Sequence, residues 1–274
     1  VKFGAQYMTQ PKLLFRDCVA QCLVMHNVGA NHTLQFGGIA LRCVAPGSGT
    51  SLIMVKVQNN SSATNPTKFD SIWLYQYGFG STVSQTGLTP FPSAKVRLTV
   101  LDSRVVAQVD SDLDGVWNYT LTGSVTTIPA AAPIGMCGFG GVHIDDYELF
   151  DAVLLNDAAS PAPTPGSEMK MVMRGWANAP YIAASAFGNG GFALSKTAKF
   201  PLSPDVLFGV TAQNLLPTVF KQFQGVLDGS GDGALSIKIP GITALKGVTV
   251  FTAFLTYRRS QILNVSNDYQ FTIL

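Results

Sequence analysis

Charged side chains are scarce in this sequence. They make up 12% of its 274 residues, about half the share of an average globular protein, and the net charge is only +2. No run of lysine and arginine is present, so the composition offers no basis for nucleic-acid binding. No apolar stretch approaches the length needed to cross a bilayer, which argues against a membrane span.

Catalytic patterns are missing as well. Glutamate occurs only at Glu148 and Glu168, whereas most glycosidases need a pair of acidic side chains flanking the scissile bond. The histidines, His26, His32 and His143, fall in no catalytic or zinc-finger spacing, and no G-x-S-x-G sequence occurs. The sequence therefore predicts a protein that is not an enzyme.

Short strands punctuated by glycine, proline and asparagine fill the chain. Residues 95–100 alternate polar and apolar side chains, and residues 169–173 place three methionines on one face of a strand. Residues 248–257 form a continuous apolar and threonine run, typical of a strand buried on both faces. Only residues 215–223 suggest a helix. These patterns predict an all-β fold, a jelly-roll sandwich followed by a smaller β-sandwich.

A proline-rich segment divides the chain. Residues 158–166 carry prolines at three alternating positions, Pro161, Pro163 and Pro165. Each proline fixes φ and removes an amide donor, so the segment cannot lie inside a sheet. The sequence predicts a linker over 158–166 between one domain at 1–157 and another at 167–274.

Five motifs of the first half follow one another in a characteristic order: Gly38-Ile-Ala-Leu-Arg, Lys95-Val-Arg-Leu-Thr-Val, Ala107-Gln-Val-Asp, Gly138-Phe-Gly-Gly and Ile144-Asp-Asp-Tyr-Glu-Leu-Phe-Asp. In this order they resemble the later strands of a concanavalin A-like, or laminin G-like, jelly-roll domain. The resemblance places that domain at about residues 1–155. It implies binding to glycans or proteins, since most members of the family have that role.

The second half carries its own motifs: Pro201-Leu-Ser-Pro-Asp, Gly225-Val-Leu-Asp-Gly-Ser-Gly-Asp-Gly-Ala, Ile237-Lys-Ile-Pro-Gly, Leu245-Lys-Gly-Val and Val265-Ser-Asn. Together they make residues 167–274 similar to a small C-terminal β-module of large secreted proteins from environmental bacteria, planctomycetes among them. The resemblance implies export and display outside the cell or at its surface, and it implies no reaction.

Aromatic residues supply one candidate binding site. Trp73, Tyr75 and Tyr77 occupy alternate positions and so share one face of a strand. An exposed strip of rings can stack on the apolar C–H faces of sugars. The alternative, which the pattern favours, is a core face, because Ile72 and Leu74 would otherwise be the strand's only inward anchors.

Three aspartates supply a candidate metal site. Asp110, Asp112 and Asp114, followed by Gly115, match the first half of a calcium loop. The twelfth position holds Leu121 instead of glutamate, which excludes an EF-hand but leaves a β-hairpin Ca²⁺ site. The competing interpretation, a polar turn between two strands, is favoured because aspartate and glycine dominate turns.

The cysteines and sequons indicate export only weakly. Four cysteines suit two disulfides, with buried thiols as a nearly equal alternative: Cys18, Cys22, Cys43 and Cys137. Five Asn-x-Ser/Thr sequons are glycosylation candidates: Asn31, Asn59, Asn60, Asn118 and Asn264.

Low charge, tandem β-modules and absent catalytic patterns favour an extracellular structural protein, a self-assembling subunit of a filament, sheath or surface layer. Its partners would be copies of itself, joined for example by strand addition from residues 1–14. The alternative is a secreted carbohydrate-binding or adhesion module with extracellular glycans as partners. A glycoside hydrolase is the third hypothesis and the least favoured.

Overall fold

The computed structural model describes residues 6–15, 17–27, 34–44, 51–59, 68–77, 82–125, 132–195, 198–259 and 261–274. For residues 6–15, 42–44, 51–52, 77 and 132–133 the description covers the backbone alone. The chain forms two compact units, Val1–Leu149 and Phe150–Leu274.

The first unit consists of two antiparallel sheets. Its strands are β1 Gln6–Phe15, β2 Cys18–Met25, β3 Phe36–Val44, β4 Ser51–Gln58, β5 Phe69–Tyr77, β6 Val83–Phe91, β7 Ser93–Leu101, β8 Arg104–Asp110, β9 Tyr119–Ser124, β10 Ala132–Phe139 and β11 His143–Phe150. One sheet has the order β1-β10-β3-β4-β5-β6 and the other β11-β2-β7-β8-β9. The predicted jelly-roll sandwich is confirmed.

The two sheets share one hydrophobic core. Alternate residues of each strand point inward, among them Ile39 of β3, Ile53 of β4 and Leu98 of β7, all with 0% exposure. Residues between these inward positions form the outer faces of the sheets.

Val96, Leu98 and Val100 are buried as predicted. Arg97 and Thr99 on the other face are buried too, with exposures of 1% and 0%, so the prediction of a half-buried strand is wrong. Arg97 is covered there by the ring of Trp117 and the side chain of Gln21.

The second unit is a smaller sandwich. Its strands are β12 Val153–Asn156, β13 Glu168–Arg174, β14 Pro180–Ala186, β15 Phe192–Ala193, β16 Lys199–Phe200, β17 Phe220–Lys221, β18 Gln224–Val226, β19 Asp232–Lys238, β20 Thr249–Arg258, β21 Gln261–Val265 and β22 Tyr269–Thr272. Sheets of order β12-β13-β19-β17 and β18-β14-β20-β21, with β22 also on β20, enclose a common core. The methionines Met169, Met171 and Met173 lie in that core, as predicted.

The proline-rich segment is a loop of the second unit, so the predicted linker is corrected. β12 precedes the prolines and pairs antiparallel with β13, which follows them, with Val153 opposite Arg174 and Asn156 opposite Met171. The amide of Gly166 donates to the carbonyl of Ile239 at 3.0 Å. Proline is barred from a sheet interior but suits the loop between two paired strands, and the division between units falls before Phe150.

The helix prediction is also wrong in position. Residues 215–223 form turns and the two-residue strand β17, since Pro217 interrupts them. The helix α1 lies earlier, at Val206–Ala212, where the side chain of Asp205 accepts a hydrogen bond from the amide of Phe208 at 2.9 Å and caps the first turn. Among the helical residues described, none forms a helix long and apolar enough to cross a bilayer.

The first strand is already paired within its own unit. β1 lies antiparallel to β10, with Tyr7 opposite Cys137 and Leu14 opposite Pro133. β1 is the edge strand of its sheet and is already paired with β10, so residues 6–14 are not the free segment that strand addition assumes, and that hypothesis is corrected for the described part of the segment.

Candidate functional site

The aromatic strip lies on the outer face of the six-stranded sheet. Ile72 and Leu74 of β5 are fully buried in the core. Trp73 and Tyr75, which alternate with them along the strand, are half-buried on the opposite face. The preference for a core face is therefore wrong. The neighbouring strands β4, β3 and β10 place further side chains on this outer face. These side chains partly cover the two rings. The side chain of Tyr77 lies outside the described residues.

Strand register brings two pairs of stacked rings to this face. Trp73 and Tyr75 stack with ring centroids 5.7 Å apart and an interplanar angle of 16°. Phe36 of β3 and Phe139 of β10 are directly opposite in the ladder and stack at 5.7 Å and 14°. We call these four rings together with Lys56 the aromatic face.

Lys56 stands between the two pairs of rings. It is opposite Trp73 in the ladder between β4 and β5. Its Nζ lies 4.2 Å from the ring centroid of Phe36, 4.9 Å from that of Tyr75 and 6.0 Å from that of Trp73. An ammonium within about 6 Å of a ring centroid is attracted to the negative face of the ring. The cation therefore links the rings of two strands, β3 and β5, across its own strand β4.

The ammonium of Lys56 is nearly buried, with 7% of the residue exposed. It donates a hydrogen bond to Oε1 of Gln58, the next outward residue of β4. Burial lowers the pKa of Lys56 from 10.5 to about 8, because desolvation disfavours the charged form. The amine is thus mostly charged at neutral pH and titrates just above it.

A small apolar cluster supports the aromatic face at the next positions along the strands. Ala40, Met54 and Cys137 are buried there with Tyr75 packed against them. Gly38, opposite Lys56 in the ladder, lets β3 and β4 approach closely, because a Cβ at this position would lie 2.0 Å from the carbonyl oxygen of Val55. The rings are consequently held on a rigid part of the sheet.

The sequence motif that identified Trp73 and Tyr75 could not identify Phe36, Lys56 or Phe139. Each of these lies on a different strand and far away in the chain. The signal that was available is the outward position of Lys56 and Gln58 within the apolar strand Ser51–Gln58. Two polar residues in a strand whose inward positions are apolar mark its outer face.

The three predicted metal ligands do lie together. One carboxylate oxygen from each of Asp110, Asp112 and Asp114 falls within 4.8 Å of the others. Asp110 is buried, and its two oxygens accept hydrogen bonds from the amides of Leu113 at 2.7 Å and Gly115 at 3.0 Å. Burial raises the pKa of Asp110. This carboxylate therefore closes the turn between β8 and β9, as the turn interpretation requires.

The described cysteines form no disulfides. Cys18, Cys22 and Cys137 are buried as thiols, with at most 1% exposure, and the side chain of Cys43 lies outside the described residues. None of the three possible pairings into two disulfides is therefore present, and that expectation is corrected. Burial raises the pKa of the Cys22 thiol far above its ordinary value. The two sheets supply a core large enough to fold without crosslinks.

Two of the predicted glycosylation sites are buried. Asn59 is 2% exposed and accepts a hydrogen bond from the amide of Gln35 at 2.7 Å. Asn264 is 7% exposed and accepts one from the hydroxyl of Thr256. A bulky glycan has no room at either position in the folded chain. Asn118 is exposed, and Asn31 and Asn60 lie outside the described residues.

No protein-family model matches the sequence, and no curated protein matches it either. Among solved structures, the exoplasmic/lumenal domain of VIP36 in its Ca²⁺/Man3GlcNAc-bound form is similar with a TM-score of 0.38 and 11% identity, covering 56% of this chain and 76% of that one. Sheep galectin-11 gives 0.34 and 6%, covering 53% and 97%. A functionally unknown protein from Saccharomyces cerevisiae gives 0.37 and 14%, covering 52% and 71%. Similarities at this level carry no functional argument.

Proposed function

We propose that the protein is a carbohydrate-binding module and that the aromatic face of the first unit is its binding surface. The observation that carries the proposal is the pair of stacked rings, Trp73 and Tyr75, on the outer face of a sheet. Half-buried aromatic rings on an outer face are available to a ligand while their inner edges are fixed by neighbours. Such rings bury a large apolar area against the C–H faces of a sugar.

The rigidity of the site favours recognition. Trp73 and Tyr75 lie on β5, which is paired on both sides, with β4 and with the edge strand β6. The ammonium of Lys56 contacts the rings of Phe36 and Tyr75 and holds both rings in position. A surface that is already ordered loses little conformational entropy when a ligand binds. The aromatic face therefore suits a flat, partly apolar ligand such as a pyranose ring.

The hydrogen-bond partners of the two glutamates support a protein that binds a sugar without cleaving it. Glu168 forms an ion pair with Lys221 at 2.8 Å and accepts a hydrogen bond from Ser236 at 2.7 Å. These two hydrogen bonds lower its pKa, the opposite of what a general acid requires. Glu148 accepts a hydrogen bond from the side chain of Gln21. We therefore propose a non-enzymatic role.

We further propose that the protein acts outside the cell or at its surface. The similarity of residues 167–274 to C-terminal modules of secreted bacterial proteins supports this location. The cluster of Asp110, Asp112 and Asp114 gives calcium a weak site at most, because the carboxylate of Asp110 is already occupied by two amides. We propose that glycan binding is independent of this cluster.

The experiment is a glycan array followed by calorimetry with the purified protein. Trp73→Ala and Tyr75→Ala should each weaken binding of the best glycan by roughly 5- to 150-fold, since stacking of a nucleobase on one aromatic ring contributes about 1–3 kcal/mol and we expect a similar contribution from a sugar ring. Trp176→Ala is the matched control, because Trp176 is 56% exposed in the second unit. Unchanged affinity in both aromatic-face variants would rule out this surface.

Self-assembly is a second candidate function, supported by a different observation. All three residues of the edge strand β18 are exposed, and Val226 among them is 65% exposed. The side chain of Gln224 donates to the carbonyl of Ala212, so β18 lies beside the end of α1, where Leu215 is 60% exposed. An exposed apolar edge strand is a site for pairing with another chain. Sedimentation velocity of the protein and of Val226→Lys tests this candidate, since a concentration-independent monomer would exclude it.

A further inference from the structure

The surroundings of Lys56 indicate the chemical class of the ligand that the aromatic face binds, given the proposed function. Lys56 carries a charge that no carboxylate in the described part of the chain neutralises. Among the residues that the structure describes, no carboxylate forms an ion pair with it, and its hydrogen-bond partner is the neutral amide of Gln58. The rings of Phe36 and Tyr75 offer only their quadrupoles.

Such an arrangement is costly for the protein alone. A charge removed from water loses solvation, and ring contacts recover only part of that loss. A neutral residue at position 56 would avoid the cost. The same desolvation lowers the pKa of Lys56. A ligand that brought an anion to this position would supply what the chain does not.

The charge of the whole sheet has the same sign. Its six strands contain three basic residues, Lys12, Arg42 and Lys56, against the single acidic residue Asp70. Potentials of opposite sign attract a ligand and orient it on the surface. Charge complementarity therefore favours an anionic ligand at a face whose rings suit a sugar.

We infer that the aromatic face binds acidic saccharides, with Trp73 and Tyr75 stacked on a sugar ring and the ammonium of Lys56 donating to a carboxylate or sulfate of the same ligand. A charge-assisted hydrogen bond of this kind is about twice as strong as a neutral one. The uncharged counterpart of the same saccharide forms the stacking contacts alone. The protein should thus distinguish acidic from neutral forms of one sugar.

The test compares matched saccharides by calorimetry at pH 7. Tetragalacturonate is paired with its methyl ester, and sulfated maltotetraose with maltotetraose, so that carboxylate and sulfate are examined separately. We expect at least one acidic form to bind about tenfold or more tightly than its neutral counterpart. Lys56→Gln should remove this preference, while Lys95→Gln, a lysine of β7 in the other sheet, should retain it.

A second measurement uses the unmodified protein and so does not depend on how a variant folds. The preference for sulfated over neutral maltotetraose should fall by up to about tenfold per pH unit above pH 8, where Lys56 loses its proton. The titratable groups that face Lys56 are Tyr75 of β5 and Cys137 of β10, and Phe36 of β3 does not titrate.

The outcomes separate the two proposals. Equal affinity for acidic and neutral forms, or a preference that persists in Lys56→Gln, overturns the role of Lys56 and leaves carbohydrate binding standing. Failure to bind any saccharide on the array overturns both.

Discussion

The side-chain amide of Asn267 pairs with both backbone groups of Leu154. Its Oδ1 accepts from the amide of Leu154 at 2.9 Å, and its Nδ2 donates to the carbonyl of Leu154 at 3.0 Å. Asn267 thereby completes the hydrogen bonding of β12, whose other edge pairs with β13. Both residues are buried, with exposures of 2% and 0%.

Asn267→Ala should destabilise the second unit by about 3 kcal/mol, because it leaves two buried backbone groups without partners. Asn267→Asp is the matched variant. It retains the acceptor but places an oxygen opposite the carbonyls of Leu154 and Asp268, so it should be no more stable than Asn267→Ala. Urea denaturation monitored by circular dichroism measures both. A loss below about 0.5 kcal/mol in Asn267→Ala, typical of surface substitutions, would contradict this role.

The titration of Lys56 should appear in the pH dependence of stability. Its pKa is lowered from 10.5 to about 8 in the folded state, so between these values the unfolded chain binds more protons than the folded chain. The free energy of unfolding then rises with pH across this window, by less than about 1.4 kcal/mol per pH unit, and the gain is lost as pH falls through 8.

Lys56→Met is the control for that pH dependence. Subtracting its unfolding free energy from that of the unmodified protein removes the contributions of tyrosines and other lysines. The difference should increase from pH 8 to pH 10 in favour of the unmodified protein. A flat difference would show that Lys56 keeps its ordinary pKa when folded.

The turn between β8 and β9 should depend on Asp110 and not on Asp112. Asp110→Ala removes the acceptor of two backbone amides and should cost about 1–3 kcal/mol. Asp112 is exposed, with its carboxylate 3.4 Å from Nδ2 of Asn118, so Asp112→Ala should change stability by less than about 0.5 kcal/mol. Thermal denaturation compares the two variants, and equal losses would show that the turn interpretation is wrong.

Calcium should have little influence on glycan binding. The carboxylate cluster lies at one end of the hairpin β8–β9, whereas the aromatic face belongs to the other sheet of the first unit. Affinity for the best glycan measured in 5 mM CaCl₂ and in 5 mM EDTA should agree within about twofold, a difference of about 0.4 kcal/mol. A loss of binding in EDTA would place calcium at the binding surface.

The buried thiols should resist modification until the protein unfolds. Cys18, Cys22 and Cys137 lie within the first unit, and burial raises the pKa of Cys22, which suppresses the reactive thiolate. At least three thiol equivalents should react with Ellman's reagent only after denaturant is added. Dithiothreitol should leave the melting temperature unchanged, and a decrease would reveal a disulfide.

The strands were predictable because their pattern is local. Alternation at residues 95–100 and the apolar run at 248–257 are properties of one strand each, and they predict both strands correctly. The burial of Arg97 and Thr99 does not follow from the alternation, because it depends on what covers that face of the sheet. The boundary between units was not predictable in this way. Prolines at 161, 163 and 165 exclude a sheet interior, but they do not distinguish a linker from a loop, and β12 has only four residues. Its partner Asn267 lies more than a hundred positions away in the chain.

In the aromatic face, too, one part follows from a local sequence pattern and the rest depends on distant segments. The shared direction of Trp73 and Tyr75 follows from the strand period, whereas the face on which they lie depends on what the neighbouring strands place beside them. Phe36, Lys56 and Phe139 come together through the register of β3, β4 and β10. Register depends on pairing across distant segments, so no window of the sequence contains it.

The pairing of β12 with β13 determines where the two halves of the molecule can be separated in the laboratory. Cutting at the prolines would leave Val153–Asn156 attached to the wrong half and expose the backbone of β13 along one side. A fragment beginning at residue 167 would present a bare strand to solvent and tend to aggregate. A fragment beginning at Phe150 keeps that strand covered and is the one to express alone.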